Sequence, residues 1–146
     1  MAITQAICNS FKNQLLEGDA NFSSSSGDKF KLALYTSSAT LNSATTSFTT
    51  TNQVANSGQY TSGGGLLVNL ATSITAGVAR VDFADRSFTG VTITARGALI
   101  YNTSSAVTNA SVCVLDFGGD KTATSGVFTI QVPAQTSTAA ILRISG

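Results

Sequence analysis

Residues 96–103 read RGALIYNT, residues 111–134 read SVCVLDFGGDKTATSGVFTIQVPA, and residues 139–144 read AAILRI. Short apolar runs rich in Val, Ile, Leu and aromatic residues are separated by polar or glycine-rich punctuation. The first two runs end on Asn102-Thr103-Ser104-Ser105 and Gly118-Gly119-Asp120-Lys121. β-Branched and aromatic side chains suit a pleated, half-buried surface, whereas Gly, Asn, Asp and Ser supply turn conformations. The pattern predicts strands at Ala98–Tyr101, Val112–Phe117, Val127–Val132 and Ile141–Ile144, with both punctuation marks as turns. Pro133, the only proline, follows a strand, where its missing N–H costs little.

Upstream, the same reading gives strands at Lys29–Thr36, Leu66–Leu70, Val78–Phe83 and Val91–Ala95. In Lys29–Thr36, Phe30, Leu32 and Leu34 point one way and Lys31, Ala33 and Tyr35 the other. In Val78–Phe83, Val81 and Phe83 share one face, and Arg80 and Asp82 the opposite one. About eight short strands at regular spacing predict a mainly β chain built as an antiparallel β-sandwich or barrel. Residues 2–18 read as its one α-helix: Ile3, Ile7, Phe11 and Leu15 recur at four-residue spacing and Gly18 is placed to cap the C-terminus. Its apolar stripe must be covered, either by its own subunit's sheet or by a neighbour. Residues 37–65 form a long polar loop whose Phe48, Val54 and Tyr60 are anchors, to the body of the protein or to another chain. A short strand or helical turn is expected inside it. The whole of 1–146 is read as one β-rich domain.

Composition narrows the chemistry. Charged residues are 10% of the chain, against about 25% in ordinary domains, and about 40 positions are Ser or Thr. Net charge is +1, and the eight cations are scattered, without the basic stripe that nucleic-acid binding requires. The chain holds no histidine, which removes the usual general base, zinc ligand and Ser-His-Asp triad. No phosphate loop, dinucleotide fingerprint or nucleophile elbow occurs. Gly63-Gly64-Gly65 lacks a following Lys-Ser/Thr and reads as the flexible entry to a strand. The nearby carboxylates Asp82 with Asp85, and Asp116 with Asp120, are weighed as glycosidase pairs. Without a Trp to stack sugars they read better as turn residues, Asp85 beside Arg86 and Asp120 in its Gly-Gly-Asp turn. No catalytic, cofactor-binding or metal-ligating residue is assigned, and no small-molecule substrate is expected.

Cys8 and Cys113 form no CxxC; of a disulfide between them and two buried thiols, the second is the favoured reading and suits a reducing cytosol. The opening MAITQAICNSFKNQLLEG lacks the basic and apolar regions of a secretory signal, and no run approaches the about 18 apolar residues of a membrane helix. Arg80, Asp82, Asp85, Arg86 and Arg96 concentrate much of a sparse charge supply. They are expected to pair across neighbouring strands or to meet another chain.

Several phrases in order, ADRSFTGVTITARGALIYN, VCVLDFGGDKTATSG with FTIQVPA, and the terminal AILRI, resemble a family of small virion proteins of tailed bacteriophages. The opening MAITQAICNSFKNQLLEG, KFKLALYTS and the middle YTSGGGLL fit the same family, so the resemblance spans Met1 to Ile144. It implies a structural component assembled in many copies, with no functional residue to carry over. The expectation is a capsid decoration, or cement, protein made in the bacterial cytoplasm and placed on the outer surface of the phage head. Its partners would be the major capsid protein and copies of itself in a homo-oligomer. A tail or fibre component touching the host surface is the alternative, and a cell-wall hydrolase a third reading that the missing His and Trp oppose.

Overall fold

The computed structural model describes residues 2–133 and 140–145; the end of the quoted FTIQVPA phrase and the start of AAILRI lie outside them. Eight strands and one helix follow in the order β1 (Ala6–Ile7), α1 (Asn9–Leu16), β2 (Phe30–Tyr35), β3 (Gly65–Leu66), β4 (Ser73–Thr75), β5 (Val78–Val81), β6 (Arg86–Asn102), β7 (Ala110–Ile130) and β8 (Leu142–Ile144). They form a five-stranded sheet, β1-β7-β6-β2-β3, and a three-stranded sheet, β4-β5-β8. Both are antiparallel throughout. The predicted mainly β, antiparallel sandwich-or-barrel class with one N-terminal helix is the observed one, in a sandwich-like form whose helix is shorter than the predicted 2–18.

The strands are cut differently from the expectation. Val91–Ala95 and Ala98–Tyr101 are one strand, β6, and Val112–Phe117 and Val127–Val132 are joined into β7. Gly118-Gly119-Asp120-Lys121 is therefore no chain reversal. It is a bulge: on β6 only Arg96 lies between Ala95 and Gly97, while Phe117, Gly118, Gly119 and Asp120 lie between their partners Lys121 and Asp116. Glycine at positive φ supplies both a turn and a bulge, so the local sequence is the same for either. The Asn102–Ser105 reversal is where the pattern put it, closing the β6–β7 hairpin. Leu66–Leu70 contracts to β3, and Val78–Phe83 to β5. The unforeseen β4 joins β5 through Ala76 and Gly77, both at positive φ, the geometry of a two-residue type I′ hairpin.

The helix is shorter than its stripe. Residues 2–7 are extended: Ile3 bridges Leu41, and Ala6 and Ile7 pair with Val114 and Cys113. β-Branched Ile3, Thr4 and Ile7 favour that conformation. Ile3 lies over Gly97, where a Cβ would come within 2.9 Å of its Cγ2. Helix α1 begins only after Cys8 donates to Val112 O at 3.0 Å and Asn9 to Ser43 O at 2.8 Å. Its end is as expected: Gly18 takes φ +73°, its N–H reaches Leu15 O, and Asp19 N–H reaches Gln14 O, the paired bonds of a Schellman cap. Phe11 and Gln14 turn into the body of the same subunit, which is the covering the stripe required.

One continuous core runs from Ile3 to Leu142. Strand β2 lies between β6 and β3 and is covered on both faces, so its alternation does not separate a wet side: Leu32, Ala33, Leu34 and Tyr35 are all buried. Phe22 stacks on Phe30 at 4.5 Å and meets Phe11 edge-on at 5.9 Å; Phe83 contacts Phe30 at 5.6 Å. These rings join α1, the 19–29 segment, β2 and the β5–β6 link.

The long loop holds isolated bridges and turns but no named strand or helix among residues 37–64. It is pinned to its own sheet. Val54 and Tyr60 are buried, and Phe48 stacks on Tyr101 at 4.7 Å. All three tyrosines of the chain take part. Tyr35 donates to Thr49 O at 2.7 Å, Tyr101 donates to Gly63 O at 2.6 Å, and the Tyr60 phenol accepts from Leu34 N–H at 2.8 Å. Of the two alternatives for its anchors, the body of the protein is the one they reach.

Candidate functional site

The five residues of the charge concentration do not converge. Arg96 Nε meets Asp116 Oδ1 at 3.0 Å, the one ion pair among the described residues. Asp116 also accepts Gly118 N–H at 2.9 Å. That backbone bond first, and Arg96 second, hold its carboxyl below the usual carboxylate value. The pair closes the bulge across β6 and β7. Asp85 accepts Val132 N–H at 2.7 Å, tying the end of β7 to the start of β6 instead of capping a turn beside Arg86. Arg86 lies 4.7 Å from the Phe88 ring centroid and donates to Leu66 O at 3.4 Å. Asp82 engages through its backbone carbonyl, which accepts Leu70 N–H at 3.0 Å. Pairing across strands holds for Arg96 alone, through Asp116.

Arg80 keeps the face that alternation gives it, opposite to that of Val81, yet it is buried, with 4% exposure. In register it stands opposite Ser73 on β4 and Arg143 on β8. Its Nη2 donates to Thr75 O at 3.3 Å, and its Nε has no partner. Alternation holds in the neighbouring rows, where Ile74, Ala79 and Ile144 line up across the three strands and Val81 stands opposite Leu142.

The other acidic candidates are structural. Asp19 accepts Ser105 Oγ at 2.6 Å and Ala106 N–H at 3.1 Å, bonds that lower its pKa and fasten the β6–β7 connection to the helix exit. Asp28 accepts from buried Asn102 at 2.8 Å. Asp120 is exposed within the bulge. Cys8 and Cys113 are free and buried, as expected. Burial pushes both thiols up, Cys113 to about 12, with Cys8 adding to the effect. Neither has the lowered pKa of a nucleophilic cysteine.

The surface feature that sequence reading missed is a groove of about 630 Å³ between α1 and the three-stranded sheet. Phe11 and Leu15 of α1, with Phe22, form one side; Ile74, Leu142 and Ile144 form the other. Its rim is wet and apolar at once, with Ile74 73% and Ile144 61% exposed. Lys12, Arg80 and Arg143 are among its lining residues, and no Asp or Glu is. Its walls come from four separated stretches, so no local pattern announces it. The one local sign is Ile74 placed just before the Ala76-Gly77 turn, an apolar residue at a hairpin tip.

Comparison with protein-family models, with curated proteins and with solved structures finds no match for this chain.

Proposed function

We propose that this protein is a structural subunit of a tailed-phage virion, a decoration protein that sits on the outer face of the head and bridges major capsid proteins. The ordered phrases from the opening MAITQAICNSF to AILRI support the virion reading. The observation that carries a binding role is the groove, an apolar surface with exposed rims on a chain whose charged side chains are otherwise sparse and dispersed. Contiguous exposed apolar surface marks sites of protein contact. The partners are the major capsid protein and further copies of this chain. Modest contacts repeated by the symmetry of a shell sum to a large collective stabilisation.

The test is position and mechanics on the particle. Cryo-EM of intact virions should place the chain on the head surface, and stripping it should lower the temperature at which heads rupture. Density confined to the tail would replace this reading with the tail or fibre one. An unchanged rupture threshold would remove the cement role.

A further inference from the structure

We infer that the apolar stripe Leu66, Val68 and Leu70 packs face to face on the same stripe of a second copy of this chain, across a two-fold axis that sets Lys31 of each copy against Asp82 of the other. Register defines the stripe. Lys31 on β2 stands opposite Leu66 on β3. Further along, Asn69 bridges Phe83, Ala84 N–H donates to Val68 O at 3.0 Å, and Leu70 N–H donates to Asp82 O at 3.0 Å. Val68 is thus level with Ala84, and Leu70 with Asp82. Residues opposed in an antiparallel ladder share a face, as does every second residue along a strand. Lys31, Leu66, Val68, Ala84, Leu70 and Asp82 therefore lie on one face. Phe30, Leu67 and Phe83 lie on the other and are buried.

The long loop stops short of the stripe. Phe48 stacks on Tyr101, the β6 partner of Lys31, and Tyr101 donates to Gly63 O, so the loop covers this face as far as Gly63. Beyond it Leu66, Val68 and Leu70 are 46%, 60% and 39% exposed. Charge names the occupant. The stripe has one cation at its Leu66 end and one anion at its Leu70 end, about 13 Å apart along an extended chain. Neither Lys31 nor Asp82 takes part in an ion pair among the described residues. A half-turn about an axis through Val68 reverses the stripe. It brings opposite charges together at both ends and apolar side chains together between them. One patch then serves both copies, the geometry of an isologous contact. A partner of a single charge matches one end and is repelled at the other.

Three apolar side chains fall short of the about 800 Å² per partner of a stable complex. The free chain should therefore pair weakly, with a Kd of about 1 mM, and repetition over a symmetric shell multiplies the contact. Amide shifts of the ¹⁵N-labelled protein are followed through a dilution series at low salt. Concentration-dependent shifts are expected at Leu66, Val68, Leu70 and Ala84. Lys31→Glu makes both ends of the stripe acidic and Asp82→Lys makes both basic, so each alone should pair about tenfold or more weakly. An equimolar mixture of the two variants restores opposite charge at both contacts and should recover the wild-type affinity. That recovery also shows that both variants fold. Val68→Asp, at an exposed position, should abolish the shifts with unchanged circular dichroism. Concentration-independent shifts in the wild type, shifts confined to other residues, or a mixture that pairs no more tightly than the single variants would each overturn the assignment.

The inference deepens the reading of further copies of this chain as partners, and rests on it only for the setting in which the contact is repeated. Stripped heads separate the two. If the wild type decorates heads yet shows no pairing at the stripe, the inference falls and the virion reading stands. If it pairs at the stripe and decorates no head, the virion reading falls and the inference stands.

Discussion

The Tyr60 phenol oxygen sits 2.8 Å from Leu34 N–H and 3.1 Å from Gln53 Oε1, so one buried side chain joins the long loop to strand β2. Gln53 Oε1 in turn accepts Gly63 N–H at 2.7 Å, and the Tyr60 ring meets Phe88 edge-on at 5.1 Å. A polar loop is held here by a satisfied internal network, with each buried donor and acceptor matched.

Tyr60→Phe keeps the ring and removes the acceptor for Leu34 N–H. An unsatisfied buried donor costs about 1–3 kcal/mol. The urea midpoint should fall with no change in slope. A midpoint equal to wild type would show that water replaces the phenol.

High pH should unfold the protein. Burial raises Tyr60 to about 12 and Cys113 to about 12, and raises Tyr35, Tyr101 and Cys8 as well. Each group keeps its proton longer in the folded state, so the unfolded chain binds fewer protons above its own pKa values. The stability is present below the unfolded thiol and phenol values, about 8.5 and 10, and is lost as pH rises through the folded ones. Urea midpoints should be flat near neutrality and fall progressively above about pH 8.5. In Cys8→Ala, Cys113→Ala the onset should move up towards the phenol range.

The acidic limb has the opposite sign. Asp116 and Asp19 are lowered by the bonds they accept, so their contribution is present above the usual carboxylate value and is lost as pH falls through the folded pKa. Both are only half-buried and stay within reach of solvent screening, so the limb should be shallow and flatten in salt. Asp116→Asn, followed by urea midpoints between neutral and acid pH, should remove part of it.

Gly64→Ala should be severe. Gly64 holds φ +79°, and a Cβ there would run into the Leu32 carbonyl. A left-handed conformation costs an alanine about 1–2 kcal/mol before the collision is counted. Gly119→Ala in the bulge meets nothing within 4 Å and should stay within about 0.5 kcal/mol of wild type. Thermal melts of the two side by side check the contrast.

Neither thiol should react with a dithionitrobenzoate reagent in the folded protein, and both should react in urea, because both are buried with raised pKa. Rapid modification of the native protein would contradict the burial of Cys8 and Cys113.

The sequence made the β class legible because alternation in Val91–Ala95 and apolar runs such as Val112–Leu115 are local signals. It misplaced what long-range pairing decides. Gly118 and Gly119 carry the same signature for a bulge as for a turn, and only the continued register of β6 against β7 chooses between them. The stripe from Ile3 to Leu15 fits a helix, yet Ile3 and Ile7 pack as extended chain, Ile3 buried and Ile7 half-buried, because Leu41 and Cys113 offer backbone partners. Gly18, whose role depends only on its neighbours, was read correctly. Arg80 shows the limit of alternation, which tells which face a residue takes and not whether that face is covered. The groove escaped because its walls are distant in sequence.

Strand β1 finds its partner in Cys113 and Val114, across most of the chain. A ribosome making this protein therefore releases Ala6 and Ile7 long before β7 exists. Until then the segment has no ladder to join, and Ile3, Phe11 and Phe22 remain without the sheet that covers them. Contacts of such sequence separation are slow to form and leave apolar surface open in the meantime. The fold should complete after synthesis, with docking of the N-terminal segment onto the finished β6–β7 hairpin as a late step. A chain truncated before Val112 should stay unfolded and associate with chaperones.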